Sequence, residues 1–65
     1  MENRLRVVRA QRCISQEALA KLAGISRVTV NRVERGVHIP DGTTILKLSR
    51  ALGIPAADLF PALLA

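Results

Sequence analysis

Apolar residues recur along the chain at intervals of three and four, the spacing that places side chains on one face of a helix. In residues 3–12, Leu5 and Val8 share a face with Arg12, while Arg9 lies at its edge and Val7 points away. This pattern predicts a first helix over residues 3–12, with Val7 exposed.

Two further helices are predicted over residues 16–23 and 27–35. Ser15 and Ser26 precede them, and a serine hydroxyl at that position accepts a hydrogen bond from a free first-turn amide. Gly24 follows the earlier helix, where glycine adopts a positive φ at little cost. The pattern therefore indicates two helices joined by a tight turn, with a buried face formed by Leu19, Ala20, Ala23, Val30 and Val33.

The second half of the chain predicts two more helices. Asp41 is a suitable N-cap for the fourth, whose buried face holds Ile45, Leu48 and Leu52. Pro55 suits the first turn of a short fifth helix over residues 55–60, and Pro61 should end it, which leaves residues 61–65 as an apolar tail. We therefore expect an all-α fold, a compact five-helix bundle, with residues 1–65 in one domain.

Composition limits how this bundle is stabilised. Of the 65 residues 49% are hydrophobic, but Phe60 is the only aromatic, so the core must be aliphatic. A domain of this size buries only about 60% of the surface of its unfolded chain, so oligomerisation would help. We therefore predict a homodimer whose surface consists of the remaining apolar residues near the end of the chain: Ile54, Ala56, Leu59, Leu63 and Leu64.

Charge indicates a polyanionic partner. The formal net charge is +5, and eight of the ten basic residues lie between Arg4 and Arg35. Clustered cations bind phosphates favourably because counterions are released. The alternative is a merely solvated surface, which stays open for Arg4, Arg6 and Lys21.

Several classes of protein are not expected. We find no nucleophile with a base, no carboxylate pair and no phosphate-binding loop, so no enzyme and no cofactor or small-molecule ligand are predicted. His38 has no metal-ligand partner at suitable spacing, and Cys13 is a small structural residue by default, although a redox role stays open. No apolar run approaches the ~20 residues of a membrane span. The expected location is the cytoplasm, in the nucleoid if DNA is the partner.

The third helix carries a polar face. At about 100° per residue, Val28, Asn31, Arg32 and Arg35 gather opposite the buried valines, and Arg27 and Glu34 flank the buried side. Arginine pairs with guanine, asparagine with adenine, and an apolar side chain contacts the thymine methyl group in the major groove. We predict base contacts from the residues nearest the start of the helix: Arg27, Val28, Asn31 and Arg32.

Phosphate contacts are predicted at helix ends. Arg35 lies at the far end of the third helix, away from the bases. Gln16 begins the second helix, where free amides and a positive dipole end favour an anion. The amides of Thr43 and Thr44 could serve the same purpose at the start of the fourth helix.

The segment SQEALAKLAGISRVTVNRVERG, residues 15–36, resembles the helix-turn-helix of the Cro and phage-repressor-like family, also called the Xre family. The likeness covers nearly the whole chain and continues through IPDGTTILKLSRALGI to DLF. Family positions are matched by Gln16, Leu19, Ala20, Gly24, Ile25, Val30 and Val33.

This resemblance implies a lambda-repressor-like fold and a sequence-specific, usually dimeric, module that binds double-stranded DNA in transcription. It implies base contacts at the four residues predicted above, a backbone contact at Gln16 and an ion pair between Arg9 and Glu34. Three positions depart from the family. Cys13 stands where glycine is common, and a positive φ there would cost ~1–3 kcal/mol. Gly42 replaces a larger apolar residue, and Pro55 replaces a serine cap.

We therefore expect a transcriptional regulator of the repressor type. As a dimer it would place two recognition helices about 34 Å apart on a palindromic operator. The alternative is an antitoxin or other protein-interaction module of a toxin–antitoxin or restriction–modification system. The lack of a long tail after residue 60 argues against an antitoxin, and neighbouring genes would decide between these alternatives.

Overall fold

Six helical segments make up the protein in a computed structural model that describes residues 3–64, without the side chain of Leu64. No strand occurs between residues 3 and 64, which confirms the predicted all-α fold. None of these helices is long and apolar enough to cross a membrane. The segments are α1 Leu5–Gln11, α2 Gln16–Ala23, α3 Arg27–Glu34, α4 Gly42–Leu52, α5 Ala56–Leu59 and α6 Pro61–Leu64.

The core is aliphatic around a single aromatic ring. Phe60, between α5 and α6, is completely buried. Each fully buried leucine or valine contributes about 1.5–3 kcal/mol relative to an exposed one, so this cluster is the main source of stability. Its other members are Leu5, Val8, Leu19, Ala20, Ala23, Val30, Val33, Leu48, Leu52 and Leu59.

The turn between α2 and α3 forms as local sequence predicts. The Ser15 Oγ accepts a hydrogen bond from the Ala18 amide at 3.0 Å, which caps α2. Gly24 ends α2 in the left-handed region, with φ 71°. The Ser26 Oγ accepts from the Thr29 amide at 3.0 Å and so caps α3. Both predicted N-caps and the glycine turn are confirmed.

Cys13 has a positive φ of 56°, the conformation that explains why glycine is common at this position in the family. It lies in the turn between α1 and α2, where its amide donates to the Ala10 carbonyl at 3.0 Å. Next to it, the Arg9 side chain donates to the Ile14 carbonyl at 2.9 Å. These bonds hold a backbone conformation that costs a cysteine about 1–3 kcal/mol.

The prediction for the end of the chain was wrong in one respect. Pro61 begins the helical turn α6 instead of leaving residues 61–64 as a tail, so the described chain has six helical segments and not five. Proline fits the first helical position because the amide it lacks would have no intrahelical partner there. Ala65, the last residue of the predicted tail, lies outside the described residues.

The predicted dimer surface also needs correction. Leu59 is completely buried within one copy of the chain and cannot contact a second copy. Its place in the core follows from the α5 turn, which directs it inward, while its carbonyl accepts from the Arg4 amide at 2.9 Å. Ile54 and Ala56 are half-buried and Leu63 is exposed; the side chain of Leu64 lies outside the described part of the chain.

The N-cap of α4 makes the stability of the fold depend on pH. The Asp41 Oδ1 accepts from the Thr44 amide at 2.8 Å. Hydrogen bonds from Thr44, its backbone amide first, lower the pKa of Asp41 from the ordinary value of 3.8. A carboxyl group whose pKa is lowered by folding stabilises the fold above its unfolded pKa, and this contribution disappears as pH falls through the folded pKa.

We therefore expect Asp41→Asn, which keeps an acceptor but has no charge, to remove part of the acid-dependent loss of stability. Urea unfolding of the wild type and of Asp41→Asn between about pH 5 and pH 2 measures this loss of stability in each protein. The wild type should lose more stability than the variant below pH 3.8. Parallel pH profiles would show that the Asp41 charge has no role in the cap.

Candidate nucleic-acid interface

The outer face of α3 presents most of the predicted base-contact residues to solvent. Arg27, Val28 and Arg32 are exposed. Val28 keeps 52% of its surface accessible although it is apolar, which agrees with its predicted place on the polar face. Asn31 differs, because it is half-buried. The α3 surface therefore offers two arginines and a valine without any rearrangement.

Contacts at both ends hold α3 in place. At its start, the Ser26 and Thr29 hydroxyl oxygens lie 2.8 Å apart and share a hydrogen bond, in addition to the amide cap. Between the ends, Val30 and Val33 are fully buried in the core. At its end, the Asn3 Nδ2 donates to the Val33 carbonyl at 2.8 Å. The exposed side chains thus project from a helix that is capped at its start and packed on the core through its opposite face.

An ion pair links α1 to the end of α3. The Arg9 Nε donates to Glu34 Oε2 at 2.8 Å, and Arg9 Nη2 donates to Glu34 Oε1 at 3.2 Å. The side chains are only 18% and 3% exposed, respectively. The hydrogen bonds that Arg9 donates to Glu34, and secondarily the charge of Glu34, raise the pKa of Arg9 against the opposing effect of burial. The structure thus contains the pair that the family resemblance implied.

Gln16 joins the same network. Its Nε2 donates to Glu34 Oε1 at 3.2 Å, so one carboxylate holds residues from both α1 and α2. An ionised carboxylate can only accept, which requires the amide nitrogen of Gln16, and not its oxygen, to face Glu34. The amide nitrogen carries a second hydrogen that remains available to another acceptor. The prediction of a phosphate contact at Gln16 is compatible with this geometry.

A cleft of about 320 Å³ lies between α1, the start of α2 and α3. The sequence analysis does not predict this cleft, although Arg6 and Arg9 are three residues apart on α1 and therefore share a helical face. The sequence leaves Arg6 open between a phosphate contact and a solvated residue, and it predicts only base contacts for Asn31. The cleft is lined by Arg6, Arg9, Gln16, Asn31, Glu34 and Arg35.

The start of α4 is less suited to a phosphate than the sequence suggested. The Thr44 amide donates to the Asp41 carboxylate, so the prediction that this amide binds a phosphate was wrong. The Asp41 charge also repels an anion at this helix end. Thr43 is exposed and Thr44 half-buried, so their hydroxyl groups are the remaining donors.

No group of three or more potential metal ligands occurs among residues 3–64.

Comparison with known proteins gives consistent results. A helix-turn-helix family model matches residues 5–59. An uncharacterized HTH-type transcriptional regulator of Methanocaldococcus jannaschii is 35% identical over 60 residues, covering 92% of this chain and 91% of its own length.

Two solved structures are also similar. The restriction-modification controller protein C.AhdI from Aeromonas hydrophila has a TM-score of 0.83 and 46% identity, covering 88% of this chain and 86% of its own. The DNA-binding domain of the P22 C2 repressor has a TM-score of 0.77 and 38% identity, covering 82% of this chain and 70% of its own. The helical arrangement described above is therefore shared with the DNA-binding domain of a repressor and with a restriction-modification controller protein.

Proposed function

The chain belongs to the helix-turn-helix family of the Cro and phage-repressor type and is a DNA-binding transcription regulator, and we propose that it represses transcription by reading the major groove with α3. In this proposal two copies bind the two halves of a palindromic operator in the nucleoid, without catalytic activity of their own. The corrected dimer surface consists of the half-buried Ile54 and Ala56 and the exposed Leu63.

One observation carries the proposal: α3 exposes Arg27, Val28 and Arg32 from a helix that is capped at its start and bonded to Asn3 near its end. Arginine can form bidentate hydrogen bonds with guanine, and valine can contact a thymine methyl group. Such contacts discriminate between bases only if the helix that carries them does not move. Asn31 stays a proposed base contact, although its half-buried side chain also lines the cleft.

Selection of bound sites from a pool of random duplex DNA tests this proposal. We expect a short palindrome whose half-sites are centred about one helical turn apart, near 34 Å. A single half-site would support groove reading but contradict the dimer. Recovery of unenriched DNA would overturn sequence-specific binding altogether.

Replacement of Arg35 by alanine should weaken binding to all sequences by a similar factor. Arg35 is exposed at the end of α3, at the opposite end of the helix from the residues that normally reach the bases. The loss of one phosphate contact should lower the slope of log K against log salt concentration by about one. Titrations at several salt concentrations, on the selected site and on random DNA, measure both effects. A changed base preference would assign Arg35 to base reading instead.

Val28 should make the protein sensitive to one thymine methyl group. Replacing a single thymine of the selected site by uracil removes that methyl group and should weaken binding roughly fourfold, the value of one buried methyl group. In Val28→Ala the same replacement should have little effect. Binding titrations of wild type and Val28→Ala, each with the thymine duplex and the uracil duplex, form a double-mutant cycle. Equal losses in wild type and variant would show that Val28 does not contact the methyl group.

A second candidate function is control of restriction–modification genes. The observation in its favour is the 46% identity and high structural similarity to a restriction-modification controller protein. A more distant alternative is an antitoxin that neutralises a protein partner. Genes for a restriction enzyme and a methyltransferase next to this one would support the controller function, and a toxin gene would support the antitoxin.

A further inference from the structure

We propose that Asn3 is a positioning residue for DNA reading, which holds the last turn of α3, and with it Arg32, in the orientation that enters the groove. The inference rests on the proposed function, which it extends to the start of the chain. Asn3 precedes α1 and lies 30 positions away in sequence from its partner on α3. It acts through Arg32 and does not itself contact DNA in this proposal.

The last turn of α3 ends in two nested backbone hydrogen bonds. The Val37 amide donates to the Arg32 carbonyl at 3.2 Å, and the Gly36 amide donates to the Val33 carbonyl at 3.1 Å. With Gly36 at φ 74°, this is the Schellman arrangement common at helix ends. An apolar contact of the residue after the glycine often supports such an end, but Val37 is 64% exposed. Val37 therefore adds little packing where Arg32 projects.

Asn3 supplies a third hydrogen bond to this turn. Its Nδ2 donates to the Val33 carbonyl at 2.8 Å, and the same oxygen accepts from the Gly36 amide. A carbonyl oxygen has two lone pairs, so it accommodates both donors. Of the three bonds, the one from Asn3 comes from a different part of the chain. It therefore determines where the turn lies relative to α1.

Asn3 is itself held by the core. Its Oδ1 accepts from the Leu5 amide at 3.0 Å, and the neighbouring Arg4 amide donates to the Leu59 carbonyl at 2.9 Å. Leu5 and Leu59 are both completely buried. Because a backbone amide only donates and a backbone carbonyl only accepts, the partners of Asn3 determine which way its side-chain amide faces. Asn3 thus connects buried parts of α1 and α5 to the end of α3.

A held helix end makes sequence reading less costly. Arg32 forms two parallel hydrogen bonds with one guanine only when its guanidinium group meets the base edge at the correct angle. A helix end that moves in the free protein must be ordered when DNA binds, and this ordering reduces the affinity. Binding to random DNA depends on charge and is not subject to this requirement. The effect of Asn3 should therefore be confined to the selected site.

Asn3→Ser tests the proposal. Serine can accept from the Leu5 amide in a local turn of the same kind, but its side chain is one bond shorter and no longer reaches the Val33 carbonyl. The net charge is unchanged. The matched control is Ile45→Val, which removes one carbon from a partly buried residue of α4, a helix that packs mainly on α2 and α5. Affinities for the selected site and for random duplex DNA would be measured well below the unfolding temperature.

We expect Asn3→Ser to weaken binding to the selected site roughly two- to tenfold, the value of one hydrogen bond, and to leave binding to random DNA unchanged. In an Arg32→Ala background the same substitution should have a much smaller effect, because the two residues act together. Ile45→Val should bind both DNAs as wild type does. Equal losses on both DNAs, an undiminished loss in the Arg32→Ala background, or no loss at all would overturn the proposal.

Failure of the proposed function has a different signature. If no site can be selected, amide hydrogen exchange in the free proteins tests the positioning of α3 by itself. Faster exchange at Arg35 and Val37 in Asn3→Ser, but not in Ile45→Val, would support it, because both amides donate within the last turn of α3. Unchanged exchange at these two amides, or equal acceleration along the whole chain, would overturn it whether or not the wild type reads sequence.

Discussion

Replacement of Glu34 by alanine is expected to lower the free energy of unfolding by about 2–3 kcal/mol. It leaves the Arg9 guanidinium, only 18% exposed, without its charged partner, and it removes the acceptor of Gln16. The stability of a domain this small is only a few kcal/mol, so the loss is a large fraction of it. The midpoint of thermal unfolding should fall by roughly 10–20 °C.

Glu17→Ala is the matched control for this measurement. Glu17 also pairs with a basic residue, Lys21, but at 3.8 Å and with side chains that are 68% and 79% exposed. Exposed pairs of this kind contribute less than about 1 kcal/mol. Similar losses in the two variants would mean that burial of the Arg9–Glu34 pair has no energetic consequence. DNA sequence preference, measured below the unfolding temperature, should be unchanged in Glu34→Ala.

Replacement of Arg32 by alanine should cost about 1–3 kcal/mol of DNA-binding free energy and relax preference at one base pair. Arg32 is exposed on α3, and its planar guanidinium can make two parallel hydrogen bonds with one guanine. Arg32→Lys keeps the charge but loses this geometry. The lysine variant should therefore recover part of the affinity and little of the preference.

The measurement compares the selected site with all its single-base-pair substitutions, for wild type, both Arg32 variants and Arg50→Ala. In the Arg50→Ala control, the pattern of preferences should match wild type even if the lost charge slightly weakens binding. If Arg32→Ala retained the wild-type affinity and the wild-type preferences, the assignment of Arg32 to the groove would be wrong.

The two central helices could be predicted closely because their ends are determined by local sequence. Ser15, Gly24 and Ser26 act within one helical turn of the backbone they cap, so the sequence around them suffices. The α2 bounds agree with the prediction, and α3 ends one residue earlier than predicted. Val28, Asn31 and Arg32 follow from the periodicity of the third helix, and Arg27 follows from its place at the start of that helix.

Features that depend on distant contacts could not be predicted in the same way. α1 begins at Leu5, and not at residue 3, because the Asn3 side chain accepts from the Leu5 amide while it also donates to α3. The sequence places Leu59 on a surface because it is one of the apolar residues that remain near the end of the chain, and its burial depends on how α5 packs on the core. The Arg6 cleft arises only when α1 packs beside α3, and no residue spacing shows that packing.

The same Asn3 contact has a consequence for the order of folding. Its bond to the Val33 carbonyl joins residues 30 positions apart, and the neighbouring Arg4 amide bonds to Leu59 still farther along. Contacts that close such long loops gain little until the intervening chain is ordered. We therefore expect these two hydrogen bonds to form late in folding, together with the packing of Leu5 into the core.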